Sequence, residues 1–378
     1  MSLAALPLLA AVGAAAILER CFAEHCSRKT LQPRVAVGGL SSGAAFAVQF
    51  HVAHSEMVSG MAVFAPQPYR CAIQRFPEDP LEDVNPEVPH CTGCEEGKTI
   101  PYDHCLQTPE VVDVTLLQAA AQDYATRGLI DNLTHLARDR IYMYRGTKDA
   151  ICLSGSTENT RDFFAEFLEN ASSQILMEVA VPSGHAIPVT GWVPWPCGLP
   201  PLHGFPLQNC AYDAAGIALR HVFGHDLADP GDVVWSSLMW FDQEPFHGDD
   251  SNNNDLDVGL ARWGLVYIPQ SCKQQGSNET CDLFVSFHGC GFVVPGTFEL
   301  LVTQQNLNNW AETNRIVVLY PRLRSHGLTI QHQNGCWHAN GQTGPDYATR
   351  RAPQMLAIRK MIEEVHALKL HGSILPFV

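Results

Sequence analysis

The chain has 378 residues, with 24 Lys or Arg against 39 Asp or Glu, a formal net charge of −15, and 17% of residues charged. So acidic a chain repels a phosphate backbone, which argues against nucleic acid as a partner, and 46% apolar residues with sparse charge describe a large buried core rather than disorder. Thirteen cysteines read as a disulfide framework, because a cytosolic chain would need metal or redox chemistry to use so many thiols.

Residues 3–18 form an uncharged run that ends at Glu19 and Arg20, short of the ~20 residues that cross a bilayer, so no membrane span is expected. Its length and the small residues Ala14, Ala15 and Ala16 read as a signal peptide over residues 1–20, with no basic n-region beyond the α-amino group; a buried N-terminal helix is the competing reading. A secreted protein is therefore expected, and the sequons at Asn132, Asn170 and Asn278 permit glycosylation. Residues 34–38 are a short, mostly apolar run with the β-branched Val35 and Val37, then come glycines and serines, then helical composition over 44–53: strand, tight turn, helix. A strand is expected at 61–64, followed by a Cys- and Pro-rich insertion over about 66–109 with little periodicity. Helix 111–127, strand 141–144, helix 157–170 and strand 175–181 come next. Residues 191–204, rich in Trp, Pro and Gly, read as a loop over the sheet edge or active site. Strands at 264–268, 283–287 and 316–320 and helices at 213–222, 304–313 and 353–368 complete the pattern. Alternating strands and helices predict an α/β fold with a mostly parallel central sheet and helices on both faces.

Gly39-Leu40-Ser41-Ser42-Gly43 matches G-x-S-x-G in the strand-turn-helix context that lifts a serine off a sheet. The N–H of Ser42, opening the helix, would face the oxyanion formed when Ser41 attacks a carbonyl. A serine nucleophile needs a histidine base and an acid to hold it, in the chain order Ser, acid, His, each after a strand. Asp149 follows the strand ending at residue 144 and His185 the strand ending at 181, which fits that order; Asp131, Asp139, His203 and His221 are the spare candidates. A second oxyanion donor usually comes from a His-Gly loop on an earlier strand. Such a loop is missing upstream of Ser41 and present downstream as His288-Gly289-Cys290-Gly291, which implies a circularly permuted chain with the Cys290 amide as the donor.

These blocks resemble the polyhydroxybutyrate (PHB) depolymerases of the circularly permuted α/β-hydrolase type. The similarity runs from Gly39–Ala53 through Ser183-Gly-His185-Ala-Ile-Pro188, Asn209–Gly216 and Phe287–Cys290 to Asn309–Pro321, Asn334–Trp337 and Thr343–Thr349. The resemblance implies a cofactor-free, metal-free serine esterase with Ser41, Asp149 and His185 as triad, Ser42 and Cys290 as oxyanion amides, and a surface crevice where Trp337 packs against a polyester. Two features depart from the family: His338-Ala339-Asn340 stands where further aromatics are common, and Ala44 replaces a second glycine. A soluble oligomer or a simple short-acyl ester is thus an alternative substrate, a general carboxylesterase or lipase the rival enzyme, and a catalytically silent binding protein the rival from another class.

Among the cysteines, Cys71, Cys91, Cys94 and Cys105 are expected to close the long insertion, Cys272 with Cys281 and Cys197 with Cys210 to form local pairs, and Cys290 with Cys336 to tie the oxyanion loop to the Trp337 loop. A zinc site from Cys91, Cys94, His90, His104 and Cys105 is the weaker reading. The acidic run 249–257 lacks the Gly and Glu that an EF-hand requires, since Asp255 and Ala261 occupy those positions. One catalytic domain over residues 21–378 is expected; the oligomeric state is not legible in the sequence.

Overall fold

The computed structural model describes residues 33–72, 103–199, 206–224, 226–247, 258–273, 280–327, 330–341 and 345–371. The proposed leader, the middle of the insertion, the acidic run, His203 and the sequon at Asn278 lie outside the described residues.

Ten strands form among the described residues: β1 (Val35–Leu40), β2 (Gly60–Phe64), β3 (Arg140–Tyr144), β4 (Ile175–Glu178), β5 (Ile187–Val189), β6 (Leu207–Asn209), β7 (Leu238–Asp242), β8 (Trp263–Tyr267), β9 (Asp282–Phe287) and β10 (Ile316–Tyr320). Eight build one sheet in the order β4-β3-β2-β1-β9-β10-β8-β7, and β5 pairs with β6 apart from it. The six strands from β4 to β10 run parallel, whereas β8 is antiparallel to both β10 and β7. Parallel strands covered on both faces read as continuous apolar runs, and β1 and β10 are buried at every position. The edge strand β4 is half-buried, consistent with its alternation of Leu176 and Glu178 with Ile175 and Met177.

The longer helices are α1 (Ser42–Ala53), α2 (Val114–Thr126), α3 (Ser156–Ala165), α4 (Ala214–Phe223), α5 (Thr297–Gln304), α6 (Leu307–Asn314) and α7 (Pro353–His371). Side chains alternate across a strand, and β9 shows that both faces are covered. Phe287 packs its ring against Phe46 and Phe50 of α1, while Phe284 and Ser286, of opposite parity, line a small cavity with Ala215 and Ala218 of α4. One cluster of buried apolar side chains runs from Val35 to Val365.

The expected elements are present with several differences, among them the helix expected over 157–170, which ends at Ala165. The strand expected over 175–181 stops at Glu178, and the three residues beyond it run into the histidine loop. The helix expected over 304–313 starts at Leu307 as α6, because Asn306 adopts φ 66° and separates it from α5, a helix not expected from the sequence. The strand β7 and the β5-β6 pair carried no alternation strong enough to read in advance; β7 pairs with β8 at the sheet edge and sends Phe241 into the core.

Candidate active site

Ser41 follows β1 and caps α1 with φ 59° and ψ −121°, a conformation that costs a non-glycine residue on the order of 1–3 kcal/mol. Close packing holds it there. The Ser41 amide donates to Phe64 O at 2.9 Å, and a Cβ on Gly43 would collide with the carbonyl oxygens of Phe287 and His288. The two glycines of the motif thus let α1 press against the end of β9. Ser42 occupies the first position of α1, whose N–H has no acceptor one turn earlier and is available to an anion.

The carboxyl ends of the parallel strands are levelled by a row of amide bonds: Ser41 N to Phe64 O at 2.9 Å, Ala65 N to Tyr144 O at 2.7 Å and Arg145 N to Glu178 O at 3.0 Å. The loops after β1, β3 and β4 therefore emerge from one edge, where ligands bind in open α/β sheets. His185 Nδ1 lies 2.8 Å from Asp149 Oδ2. Asp149 Oδ1 accepts the amides of Ile151 and Cys152, each at 2.8 Å, and the carboxylate is buried. A carboxylate engaged at both oxygens by N–H donors acts as acceptor only, so Nδ1 of His185 carries the proton and Nε2 holds the lone pair. That Nε2 is buried and has no hydrogen-bond partner among the described residues.

The two loops are laced together. Thr147 N donates to Val181 O at 2.9 Å and Lys148 N to Ser183 O at 3.0 Å. The Tyr144 and Ser183 hydroxyls are 2.6 Å apart, and Gln208 accepts the amides of Gly184 and Gly198 at 3.0 and 2.9 Å. Tyr144, Ser183 and Gln208 are positioning residues that the sequence did not single out, since nothing in their local spacing marks them.

The His288-Gly289-Cys290 loop lies against Ser41: a Cβ on Gly289 would be 3.4 Å from Ser41 Cβ and 3.3 Å from Leu40 O. His288 fixes the loop. Leu323 N donates to its Nε2 at 3.0 Å, so Nδ1 holds the hydrogen and donates to Gly289 O at 2.7 Å. Burial pushes the pKa of His288 down to about 4, which keeps this neutral tautomer at neutral pH. Cys290 is disulfide-bonded to Cys336, and Gly291 N reaches Asn334 O at 2.8 Å, tying the loop to the segment that carries Trp337.

Trp337 is a correction to the sequence reading. It is 0% exposed, with ring centroids 4.9 Å from both Phe46 and Phe287 and 5.5 Å from His288. A large apolar ring flanked by the apolar face of α1 gains more from burial than from facing water. Trp337 thus buttresses α1 and the His288 loop from behind, and presents no surface for a polymer.

The spare candidates are engaged elsewhere. Asp139 precedes β3, at the opposite end from Asp149, and pairs with buried His51 at 2.7 Å. Asp131 pairs with Arg350 at 2.7 Å, and His221 Nε2 lies 2.8 Å from Gln174 O. Cys105 is bonded to Cys71 and cannot ligate zinc. The pairs Cys197–Cys210 and Cys272–Cys281 are also formed, giving four disulfides among the described residues. Cys152 is a free buried thiol, whose pKa burial pushes up to about 12, so it stays protonated and unreactive. Among the described residues, one group of side chains has metal-ligating potential: His326, His332 and His338.

The fold is that of an α/β hydrolase, with a serine on a strained strand-to-helix turn and a histidine held by an aspartate on neighbouring loops. No protein-family model matches the chain. The chain is similar to a poly(3-hydroxybutyrate) depolymerase of Delftia acidovorans, 28% identical over 332 residues, which are 87% of this chain and 59% of that longer protein. It is 24% identical over 342 residues to a polyhydroxybutyrate depolymerase of Talaromyces funiculosus, 88% of this chain and 89% of that one. In structure it is similar to the PHB depolymerase from Penicillium funiculosum, with a TM-score of 0.70 and 24% identity over 88% of this chain and 95% of the other. A PHB depolymerase with a serine-to-alanine substitution, complexed with an R3HB trimer, matches to the same extent. The structural likeness shows a shared fold.

Proposed function

We propose that the protein is a secreted serine esterase that hydrolyses ester bonds of 3-hydroxybutyrate polymers or oligomers through an acyl-enzyme. The observation that carries this reading is the His185–Asp149 pair at 2.8 Å, on loops that leave the same sheet edge as a serine held in a strained turn. In it Ser41 attacks the ester carbonyl and His185 Nε2 takes the serine proton, then delivers it to the leaving alcohol. Asp149 holds the tautomer and stabilises the imidazolium, and the amides of Ser42 and Cys290 receive the oxyanion. Water activated by His185 then releases the 3-hydroxyacid and regenerates Ser41.

The similarity to two proteins named as depolymerases, and to a structure holding an R3HB trimer, supports the substrate class. Four disulfides among the described residues support an oxidising compartment. The strand order, in which β1 before Ser41 is first in the chain while its neighbour β9, and β10 beyond it, come last, supports reading the sheet as a circular permutation. We read residues 21–378 as one catalytic domain. With Trp337 buried, the exposed aromatic that follows the histidine loop is Trp192, 83% exposed, and we assign it the surface contact. The burial of Trp337 also favours a second reading, a soluble oligomer or short-acyl ester as the main substrate. Clearing of a 3-hydroxybutyrate polymer suspension, compared with hydrolysis of the soluble dimer and of a butyrate ester, separates the two. No turnover of any of the three, or equal fluorophosphonate labelling of wild type and Ser41→Ala, would overturn the esterase reading.

A further inference from the structure

His326, His332 and His338 converge beside the segment that carries Cys336 and Trp337, with one ligand nitrogen of each within 4.8 Å of the others. The rings are packed together: centroids are 4.6 Å apart for His326 and His332, 4.9 Å for His332 and His338, and 5.5 Å for His326 and His338. His326 and His338 are buried and His332 is half-buried.

The tautomer of His326 is set by its neighbour. Its Nδ1 lies 3.1 Å from the carbonyl oxygen of Arg324, which can only accept, so Nδ1 carries the hydrogen and Nε2 presents its lone pair to the group. A ring N–H held by a backbone carbonyl while the other nitrogen points at a centre is the usual environment of a metal-bound histidine. Nε2 of His326 and Nε2 of His338 are 3.4 Å apart. That is long for a hydrogen bond between ring nitrogens. It matches the separation of about 3.3 Å that two nitrogens take when each is about 2.05 Å from one tetrahedral ion. The backbone makes room for the group: Gly259, at φ +70°, lies where any Cβ would overlap the His326 ring, and Gly327, at φ +59°, does the same for the His332 ring. Neutral imidazole is a ligand for zinc, copper and nickel, and excludes calcium and magnesium, which require oxygen donors.

We propose that His326, His332 and His338 form a site for one divalent first-row transition ion, with Zn²⁺ as occupant and water at the half-exposed position. The ion joins the loop after β10 to the segment held by the Cys290–Cys336 bond. Its role is to clamp that corner, separate from the Ser41 chemistry, and the proposal stands whether or not the protein is an esterase.

The test uses the full chain, stripped of metal by dialysis against a chelator, incubated with ZnCl₂ and passed through gel filtration, with bound zinc measured by elemental analysis. The wild type is expected to retain about one zinc per chain and to unfold at a higher temperature with zinc than without. His332→Gln, at the half-buried position, is expected to weaken binding at least tenfold and to abolish the zinc-dependent rise while keeping the wild-type far-ultraviolet circular dichroism. His338→Gln provides the second variant. A wild type that retains no zinc overturns the proposal, as does undiminished zinc retention in a folded His332→Gln protein, which would place the ion on other histidines.

Discussion

Asp149 holds His185 by one carboxylate oxygen, at 2.8 Å, and its own loop by the other, through the amides of Ile151 and Cys152. The loop therefore cannot shift without turning the imidazole. Asp149→Asn keeps the shape but can present an N–H where the carboxylate accepted, which favours the wrong histidine tautomer. A fall in kcat of roughly 10⁴ with little change in thermal midpoint is expected. Near-full activity of Asp149→Asn in steady-state assays would show that another acid serves His185.

Ser41 stores strain at φ 59°. Ser41→Ala should lower kcat by on the order of 10⁴ to 10⁶ without stabilising the fold, because alanine suffers the same clash. Ser41→Gly should be equally inactive but more stable, by about 1 kcal/mol or more in denaturant unfolding. Equal stability of the two variants would mean that the turn carries no strain.

His288 acts on the oxyanion loop through its bonds to Gly289 O and Leu323 N. His288→Leu, of similar volume, breaks both. A loss of about 10² in kcat with KM nearly unchanged is expected if it displaces a single oxyanion donor. A parallel loss in KM and kcat, or none in a folded variant, would remove His288 from that role.

Burial lowers the pKa values of His54 and His288 to about 4. The unfolded chain takes up these two protons near pH 6.5, the native protein only near 4. Stability contributed by the neutral rings is therefore complete above about pH 6.5 and is lost as pH falls toward 4, at up to about 1.4 kcal/mol per pH unit for each ring. Denaturant unfolding from pH 7 to 4.5 should show the decline, and His54→Leu should flatten it; an unchanged slope would discount His54.

The Cys290–Cys336 bond closes 46 residues and holds the loop beside Ser41. By loop-closure entropy its removal in the double Cys→Ser variant should cost about 4 kcal/mol. It should also lower kcat, whereas removing Cys272–Cys281, which closes 9 residues and ends away from the Ser41 loop, should affect stability alone. Equal kcat in the two double variants would show that the cross-link near Ser41 is purely structural.

Local signals carried much of the fold. The apolar runs of β1, β2, β3, β9 and β10 and the Gly-Ser turn at Ser41 are short-range patterns, and they appear where the periodicity put them. The edge strand β7, most of whose residues are only partly buried, left no such trace. Asp149 and His185 were legible because each follows a strand at a fixed place in the chain order, whereas Tyr144, Ser183 and Gln208 act only across loops.

The sequence by itself determined that a cysteine-rich, acidic, apolar chain forms an α/β core with a serine on a strand-to-helix turn. Only the tertiary structure decided that Asp139 belongs to His51 and Asp149 to His185, that Trp337 is buried, and that three histidines meet near Cys336. Spacing along the chain fixes which end of a strand a residue occupies. The direction a side chain faces, and what it meets there, depends on segments hundreds of residues away packing against it.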